Sequence, residues 1–308
     1  MEEQKTTPGQ GQPAENPFAE KPREQMVLYE KVERHIAKIT LNRPEKGNAL
    51  LAGHSEEELQ RKMEMAEDDD EVKVVILSGT GRHFCAGEDV RRMPVETFGL
   101  KKGERLPQSF RMRGMAKNRE LFRRTFPYST KTTISAVQGA ALGTGFILAI
   151  GCDLMVCSED AFFGRRQSRI GFAAFELQLP FTLLKLGVNR GYEAIITGRT
   201  ITAKEMKEWG VASSVVPREK LMDEAMRYAR AIAAHSTDNL MLGKLSMQLF
   251  WDLMGVSTYL SYAKIAHPLF TNLVWREDEH NWFKMRNLHG PREGMAKLHQ
   301  VWEDLGFR

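Results

Sequence analysis

Along the 308 residues of the chain, the pattern of apolar and polar positions predicts strands that alternate with helices. Between His35 and Leu41, apolar and polar residues alternate, which is typical of a half-buried strand. The stretch from Val72 to Leu77 is almost continuously apolar and rich in β-branched residues, as in a strand covered on both faces. Thr132 to Val137 and Asp153 to Cys157 predict two further strands. Without an internal repeat, this alternation indicates an α/β fold.

Helical patterns fill the segments between these strands. After Ser55 and Glu58, which predict a capping box, apolar residues recur at helical spacing as far as Ala66. The almost uncharged segment 139–151 predicts a buried helix that follows a tight turn. Further along, Pro217 is placed for the first turn of another helix.

The second half of the chain is predicted to be mostly helical. Thr202 and Glu205 form a second capping-box pattern, at the start of a short helix. Residues 1–25 are rich in Gln, Pro, Glu and Gly, which is typical of a disordered tail. The chain therefore divides into this tail, an α/β core over 26–235 and a helical region over 236–308.

Composition narrows the class of protein. The net charge is only +4, which is compatible with a polyanionic small molecule and gives little reason to expect nucleic-acid binding. The sequence shows no apolar run of membrane-spanning length and no secretion leader, so we expect a cytoplasmic protein without a membrane partner. Cys85, Cys152 and Cys157 are predicted to be reduced core thiols, since their spacing does not fit a metal site.

Two small-residue turns carry the candidate chemistry. Ala86-Gly87-Glu88 and Gly143-Thr144-Gly145 each follow a strand-like run. Such turns free main-chain N–H groups to point into a pocket, and two of these groups can hold one oxygen atom. The sequence therefore predicts an oxyanion hole, with a thioester carbonyl as the expected ligand.

The order of these motifs resembles the crotonase family, the enoyl-CoA hydratase/isomerase superfamily. The motifs that carry the resemblance run in order through roughly residues 28–308: Ile39-Thr40-Leu41-Asn42-Arg43-Pro44 with Asn48-Ala49-Leu50, Phe84-Cys85-Ala86-Gly87-Glu88-Asp89-Val90, Ala141-Leu142-Gly143-Thr144-Gly145 with Cys152-Asp153, Phe162-Phe163-Gly164, Ile196-Thr197-Gly198, and Arg292-Glu293-Gly294-Met295. The resemblance implies a ββα spiral core and an acyl-CoA substrate. Coenzyme A then enters as part of the substrate rather than as a permanently bound cofactor. It also implies a homotrimer or hexamer, with the C-terminal helices at subunit contacts and over the active site.

The resemblance also assigns roles to particular residues. The main-chain N–H groups of Glu88 and Thr144 are implied to hold the thioester oxygen. Thr144 stands where the family has glycine, and we expect it to keep this role only if its φ is negative. Residues implied to contact the substrate or its CoA portion are Arg43, Ala49, Ala86, Asp89, Val90, Arg91, Gly143 and Gln167.

Both of the family's usual catalytic glutamates are absent. The first position falls at Ile147 and the second at Gln167, and neither side chain accepts a proton at neutral pH. Hydration by the two-carboxylate mechanism is therefore not expected. In some family members an aspartate eight positions beyond the second glutamate serves as base or nucleophile. That offset falls here at Phe175, so the resemblance implies its neighbour Glu176 as the candidate base, and the apolar segment around Glu176 would raise its pKa. The alternative is that Glu176 forms a structural ion pair with one of the arginines at 165, 166 and 169.

The reaction itself stays open at this stage. Double-bond isomerisation, lyase chemistry, C–C hydrolysis and hydration by a different base are all compatible with the pattern. Other classes also remain: an inactive homologue that binds acyl-CoA or RNA, or a diketone hydrolase that does not use CoA. The arginines at 165, 166 and 169 hint at an anionic or polar acyl group. A weakly periodic, basic stretch over about 93–124 is interpreted as a lid.

Overall fold

The computed structural model describes residues 22–50, 54–89, 107–109, 112, 126–172, 179–270, 275–279 and 281–307. Three of the residues singled out in the sequence, Val90, Arg91 and Glu176, lie outside this part of the chain. The interpreted lid lies outside it as well, apart from residues 107–109 and 112, and so do residues 1–21 of the predicted tail.

A six-stranded sheet forms the centre of the fold. In spatial order its strands are β1 (Val27–Glu33), β2 (Ile36–Leu41), β3 (Val74–Gly79), β4 (Thr132–Val137), β6 (Leu154–Ser158) and β9 (Ser214–Val216). The first pair is antiparallel and the other neighbours are parallel. A smaller sheet contains β5 (Ala140–Leu142), β7 (Phe162–Gly164) and β8 (Ile201–Thr202). This mixed α/β arrangement agrees with the predicted fold class.

Helices cover both faces of the large sheet, and in the sequence they lie both between its strands and after its last strand. Their bounds are α1 (Arg23–Met26), α2 (Ser55–Glu67), α3 (Thr144–Gly151), α4 (Leu179–Leu186), α5 (Val188–Thr197), α6 (Ala203–Glu208), α7 (Leu221–Ala233), α8 (Thr237–Leu253), α9 (Val256–Phe270) and α10 (Trp282–Asp304). Short 3₁₀ turns occur at Pro44–Lys46, Ser168–Ile170 and Arg218–Lys220. Within the described ranges, every helix is too short or too polar to cross a membrane.

The strand predictions are confirmed for β2, β3, β4 and β6 to within two residues at each end. The segment 139–151 differs from its prediction, because the chain first forms the short strand β5 and enters α3 only at Thr144. Gly143, with φ +53°, makes the change of direction between the two elements. The predicted tail is also too long, since Arg23 begins a helical turn whose last residue, Met26, is buried.

Local capping signals were only partly reliable. The predicted capping box at the start of α6 is confirmed, with the Thr202 side chain and the Glu205 carboxylate each accepting from the other's backbone N–H. The box predicted at Ser55 is wrong. Helix α2 already includes Ser55, His54 takes the N-cap position, and the Glu58 carboxylate binds two cations of its own helix instead.

The core lies in two layers, one on each face of the sheet. On one face, α7 packs Leu221, Ala225 and Ala229 against alternate residues of the central strands. On the other face, α2 and α3 cover the remaining side chains of those strands. The predicted core thiols are confirmed, since Cys85, Cys152 and Cys157 are free and buried. Burial raises the pKa of each thiol to about 12, so none is a reactive thiolate.

The C-terminal helices pack back onto the core. Trp251 of α8 lies edge-on to Phe181 of α4, with ring centroids 5.0 Å apart. Trp282 and Phe283 at the start of α10 pack against the segment that contains Ile170. Helix α10 is interrupted at Gly290, whose φ of +78° and ψ of 170° are not helical. The division of the chain at residue 235 and the trimeric or hexameric assembly stay predictions.

Candidate active site

The first small-residue turn is held between two neighbouring segments. Beyond β3 the chain runs beside β5, where the Cys85 N–H donates to the Ala140 carbonyl and the Cys85 carbonyl accepts from the Leu142 N–H, each over 2.9 Å. On the other side, Leu50 donates to the Gly87 carbonyl over 2.7 Å and accepts from Asp89 N–H over 2.8 Å. These bonds fix Glu88 from both sides without using its own N–H.

The second turn connects β5 to α3. Gly143 N–H donates to the Gly164 carbonyl over 2.9 Å, and its φ of +53° lets the helix begin at the next residue. Thr144 is therefore the first residue of α3, where main-chain N–H groups have no partner inside the helix. Asn48 is the one non-glycine residue with positive φ in the part of the chain that the structure describes, so Thr144 meets the condition set by the sequence.

The two turns touch each other at their glycines. Gly87 has φ +102°, and a Cβ built on it would lie 2.9 Å from the Leu142 carbonyl oxygen and 3.7 Å from the Cα of Gly143. No side chain fits this contact without displacing backbone. The glycines therefore bring Glu88 and Thr144, the residues that follow them, to the same edge of the sheet.

The N–H groups of Glu88 and Thr144 donate to none of the residues that the structure describes. Their side chains are joined instead, since the Thr144 hydroxyl donates to Glu88 Oε1 over 3.2 Å. Two free N–H groups on adjoining turns form the arrangement that stabilises an oxyanion, and each such donor contributes about 2.7–4 kcal/mol in enzymes where it has been removed.

Several predicted contact residues support the first turn. Arg43 is 1% exposed, and its Nη2 lies 3.3 Å from Asp89 Oδ2 in a buried ion pair. The same guanidinium donates to the Ala49 carbonyl. Ala86 is exposed and its N–H donates to Gly47 over 2.9 Å. The roles predicted for these residues in binding CoA stay predictions.

Ile147 and Gln167, where the resemblance implies that the family's glutamates are missing, lie next to the second turn. Ile147 is buried in α3, where Gly143 accepts its N–H. The amide nitrogen of Gln167 would lie 3.3 Å from a Cβ on Gly143. The Gln167 Oε1 atom is buried and accepts no hydrogen bond from the described residues. Gln167 therefore lies beside the turn as a neutral polar side chain whose buried oxygen accepts no hydrogen bond from the described residues.

Of the arginines that follow Gly164, Arg169 contacts the C-terminal part of the chain. Arg169 is buried, donates to the Thr197 carbonyl over 3.1 Å and to the Phe307 carbonyl over 3.2 Å, and lies over the Trp302 ring. Arg166 donates to the Thr200 hydroxyl. Groups of the protein itself therefore bind the Arg169 guanidinium. This weakens the sequence-based hint that the charge of Arg169 binds an anionic acyl group.

Sequence reasoning missed Glu56. This residue lies in the first turn of α2 and is half-buried. Burial, followed by repulsion from Glu88 and Glu57, raises the pKa of its carboxyl from 4.5 to about 7. In the sequence, Glu56 belongs to the run Glu56-Glu57-Glu58. Acidic residues are common in the first turn of a helix, so this run did not single out Glu56.

His83 supports the turn rather than the pocket. Its Nδ1 accepts the N–H of Ala140 over 3.1 Å, and its carbonyl accepts from the Asn48 amide over 2.7 Å. Burial lowers the pKa of its ring, which favours the neutral form that can accept a hydrogen bond.

Comparison with known proteins shows the family to which the chain belongs. Residues 31–257 match the family model described as enoyl-CoA hydratase/isomerase. The chain belongs to this family. It is 31% identical over 223 residues to the mevalonyl-coenzyme A hydratase of Aspergillus fumigatus, covering 72% of this chain and 78% of that protein. It is 29% identical over 277 residues to the corresponding hydratase of Beauveria bassiana, covering 88% and 92%.

Solved structures of the family share the fold. An enoyl-CoA hydratase/isomerase from Xanthobacter autotrophicus matches with a TM-score of 0.75 at 26% identity, over 90% of this chain and 98% of that one. An enoyl-CoA hydratase from Mycobacterium smegmatis matches with a TM-score of 0.77 at 25% identity, over 90% and 94%. The fold is therefore the crotonase fold with a C-terminal helical region.

Proposed function

We propose that the protein acts on an acyl-CoA thioester and stabilises its enolate with the N–H groups of Glu88 and Thr144. The observation that carries the proposal is the contact between Gly87 and Gly143, which brings these two N–H groups to adjoining turns. Neither N–H group donates a hydrogen bond to a described residue. Coenzyme A is then part of the substrate, and the acyl carbonyl lies between the two turns.

The chemical step shared by the candidate reactions is simple. A C–H bond next to the thioester carbonyl breaks, its electron pair moves onto the carbonyl oxygen, and a carboxylate takes the proton. The enolate oxygen is stabilised by the two N–H groups, which need no rearrangement as the charge develops. Return of a proton at another carbon gives isomerisation, and loss of a β-substituent gives elimination.

The proposed reaction differs from hydration by two glutamates. Ile147 and Gln167 occupy the corresponding positions, and neither accepts a proton, so a different group has to move it. Glu176, outside the described residues, stays the sequence-based candidate for the base. The names of the two fungal relatives, mevalonyl-CoA hydratases, favour a branched or polar acyl group over a plain fatty acyl chain.

The test separates binding from chemistry. Calorimetry with CoA, butyryl-CoA and 3-hydroxy-3-methylglutaryl-CoA measures thioester binding by the full chain. Mass spectrometry of the same thioesters after incubation in D₂O measures exchange of the protons next to the carbonyl. We expect binding with exchange, and slow hydration of crotonyl-CoA. Failure to bind any of these ligands would overturn the proposal.

A second candidate is a protein that binds acyl-CoA without turning it over. The absence of both glutamates favours it, since Ile147 is a buried apolar residue of α3. Thioester binding without any proton exchange would support this candidate. Binding of single-stranded RNA that weakens steeply with salt, or cleavage of a cyclic diketone without CoA binding, would support the alternatives left by the sequence.

A further inference from the structure

The turn that carries the first of the two N–H donors also carries a carboxylate that is open to solvent. Glu88 is exposed, and among the described residues it forms no ion pair. The next carboxylate along the chain is different, because Asp89 is buried and lies 3.3 Å from Arg43 in an ion pair. Glu88 therefore supplies the carboxylate of this turn that no described cation neutralises.

One oxygen of the Glu88 carboxylate is held beside the second N–H donor. Glu88 Oε1 accepts from the Thr144 hydroxyl over 3.2 Å, and Thr144 is only 2% exposed. The hydroxyl and the main-chain N–H belong to the same residue, so the carboxylate lies close to the N–H group that would hold the thioester oxygen. Glu88 Oε2 accepts no hydrogen bond from the described residues. The hydroxyl thus orients one carboxylate oxygen and leaves the other open to accept a proton.

Contacts of the two turns keep this arrangement in place. Gly87 and Gly143 lie so close together that a Cβ built on Gly87 would be 3.7 Å from the Gly143 Cα. Leu50 donates to the Gly87 carbonyl over 2.7 Å and accepts from the Asp89 N–H over 2.8 Å, which fixes both neighbours of Glu88. The backbone that carries the carboxylate is therefore held before a substrate arrives, as catalysis by positioned groups requires.

Electrostatics decides what a carboxylate can do at this place. A permanent negative charge beside the proposed oxyanion hole opposes formation of an enolate, because like charges repel. A carboxylate that itself takes the substrate proton loses its negative charge while the charge on the enolate oxygen develops. The total charge of the pocket then stays constant through the step. The location of Glu88 therefore favours a carboxylate that accepts the proton over one that takes no part in the reaction.

We propose that the Glu88 side chain is the base that takes and returns the substrate proton, a role that rests on the proposed function. The C–H bond next to the thioester carbonyl breaks, and its proton forms an O–H bond with Glu88 Oε2. The electron pair of the C–H bond forms a C=C bond, and the carbonyl π pair moves onto the thioester oxygen at the two N–H groups. In the reverse step, Glu88 returns a proton to carbon and becomes a carboxylate again. Glu88 thereby supplies the proton transfer that Ile147 and Gln167 cannot perform.

The experiment compares Glu88→Gln with Glu57→Gln in the D₂O exchange assay, using butyryl-CoA and the full chain. Glutamine keeps the main-chain N–H and an oxygen that accepts from the Thr144 hydroxyl, but it does not take a proton. We expect Glu88→Gln to lower the exchange rate by about 10²–10⁴-fold. Glu57 is the matched control, because its exposed carboxylate forms an ion pair with Arg23 of α1. Glu57→Gln is expected to stay within about twofold of the wild type, as for other exposed ion pairs.

Further measurements separate a catalytic loss from a folding defect. Glu88→Gln is expected to bind butyryl-CoA with wild-type affinity in calorimetry. Glu88→Asp, which keeps a carboxylate on the same turn, is expected to recover part of the exchange rate. Thr144→Val removes the hydroxyl that orients Glu88, and it is expected to lower the exchange rate by about two- to tenfold, the rate equivalent of one hydrogen bond.

The outcomes distinguish this inference from the function on which it rests. Exchange by Glu88→Gln at or above the wild-type rate would overturn the role of Glu88 as base and leave the proposed function standing. Loss of exchange in Glu176→Gln would then assign the base to Glu176. Thioester binding by the wild type without exchange would overturn Glu88 as a proton carrier and favour the binding protein. Absence of binding would overturn both proposals.

Discussion

The Thr144 hydroxyl donates a hydrogen bond to the Glu88 carboxylate over 3.2 Å, and thereby joins the side chains of the two residues whose N–H groups form the candidate oxyanion hole. In the pattern that the sequence resembles, the second position is glycine and forms no such link. The threonine therefore adds a connection between the turns without changing the main-chain donor.

Thr144→Val is the change that removes this connection and keeps the N–H group. We expect the free energy of unfolding to fall by about 0.5–1.5 kcal/mol, the usual contribution of one hydrogen bond. Urea unfolding followed by circular dichroism measures it. Thr144→Ser keeps the hydroxyl and is expected to match the wild type. A loss in Thr144→Ser with none in Thr144→Val would show that the methyl group, not the hydrogen bond, is what matters.

Gly87→Ala tests whether the contact between the turns is needed for thioester binding. A Cβ at this position would lie 2.9 Å from the Leu142 carbonyl oxygen, so the turns must separate or shift. We expect the affinity for butyryl-CoA in calorimetry to fall by at least about tenfold, since the two N–H groups would no longer point at the same oxygen atom.

Gly210→Ala is the control for backbone strain alone. Gly210 also has positive φ, at +75°, but a Cβ there would meet nothing within 4 Å. It is expected to lower stability by about 1 kcal/mol and to leave the affinity unchanged. Unchanged thioester affinity in Gly87→Ala would contradict the position assigned to the oxyanion hole.

Much of the fold could be predicted because strand patterns are local. The buried residues of β3 and the apolar face of α7 are both visible as sequence periodicity. The two small-residue turns could also be predicted, since their glycines occupy backbone conformations that other residues avoid. Glu56 could not be, because its burial and its proximity to Glu88 arise from tertiary packing and leave no mark in a run of helix-starting glutamates.

Gln167→Glu returns a carboxylate to the position of the second family glutamate. The side chain already lies beside Gly143, and the Gln167 Oε1 atom has no hydrogen-bond donor among the described residues. We expect faster hydration of crotonyl-CoA than in the wild type, measured by loss of its enoyl absorbance. The gain in hydration rate should be smaller than the factor of about 10²–10⁴ that general acid–base catalysis contributes, because Ile147 is unchanged. Gln167→Leu is the control and is expected to show no gain.

Glu56→Gln is also expected to make the protein more stable above pH 7. The carboxyl pKa is raised from 4.5 to about 7 in the folded state, so the folded protein holds this proton more tightly than the unfolded chain does. The wild type therefore loses stability as pH rises from about 4.5 through about 7, by at most about 3 kcal/mol. Glutamine carries no charge and avoids this loss. In urea unfolding, the difference between variant and wild type should be near zero at pH 4.5 and largest at pH 8. A variant that is less stable at pH 8 would mean that the charged Glu56 carboxylate is paired in the folded protein.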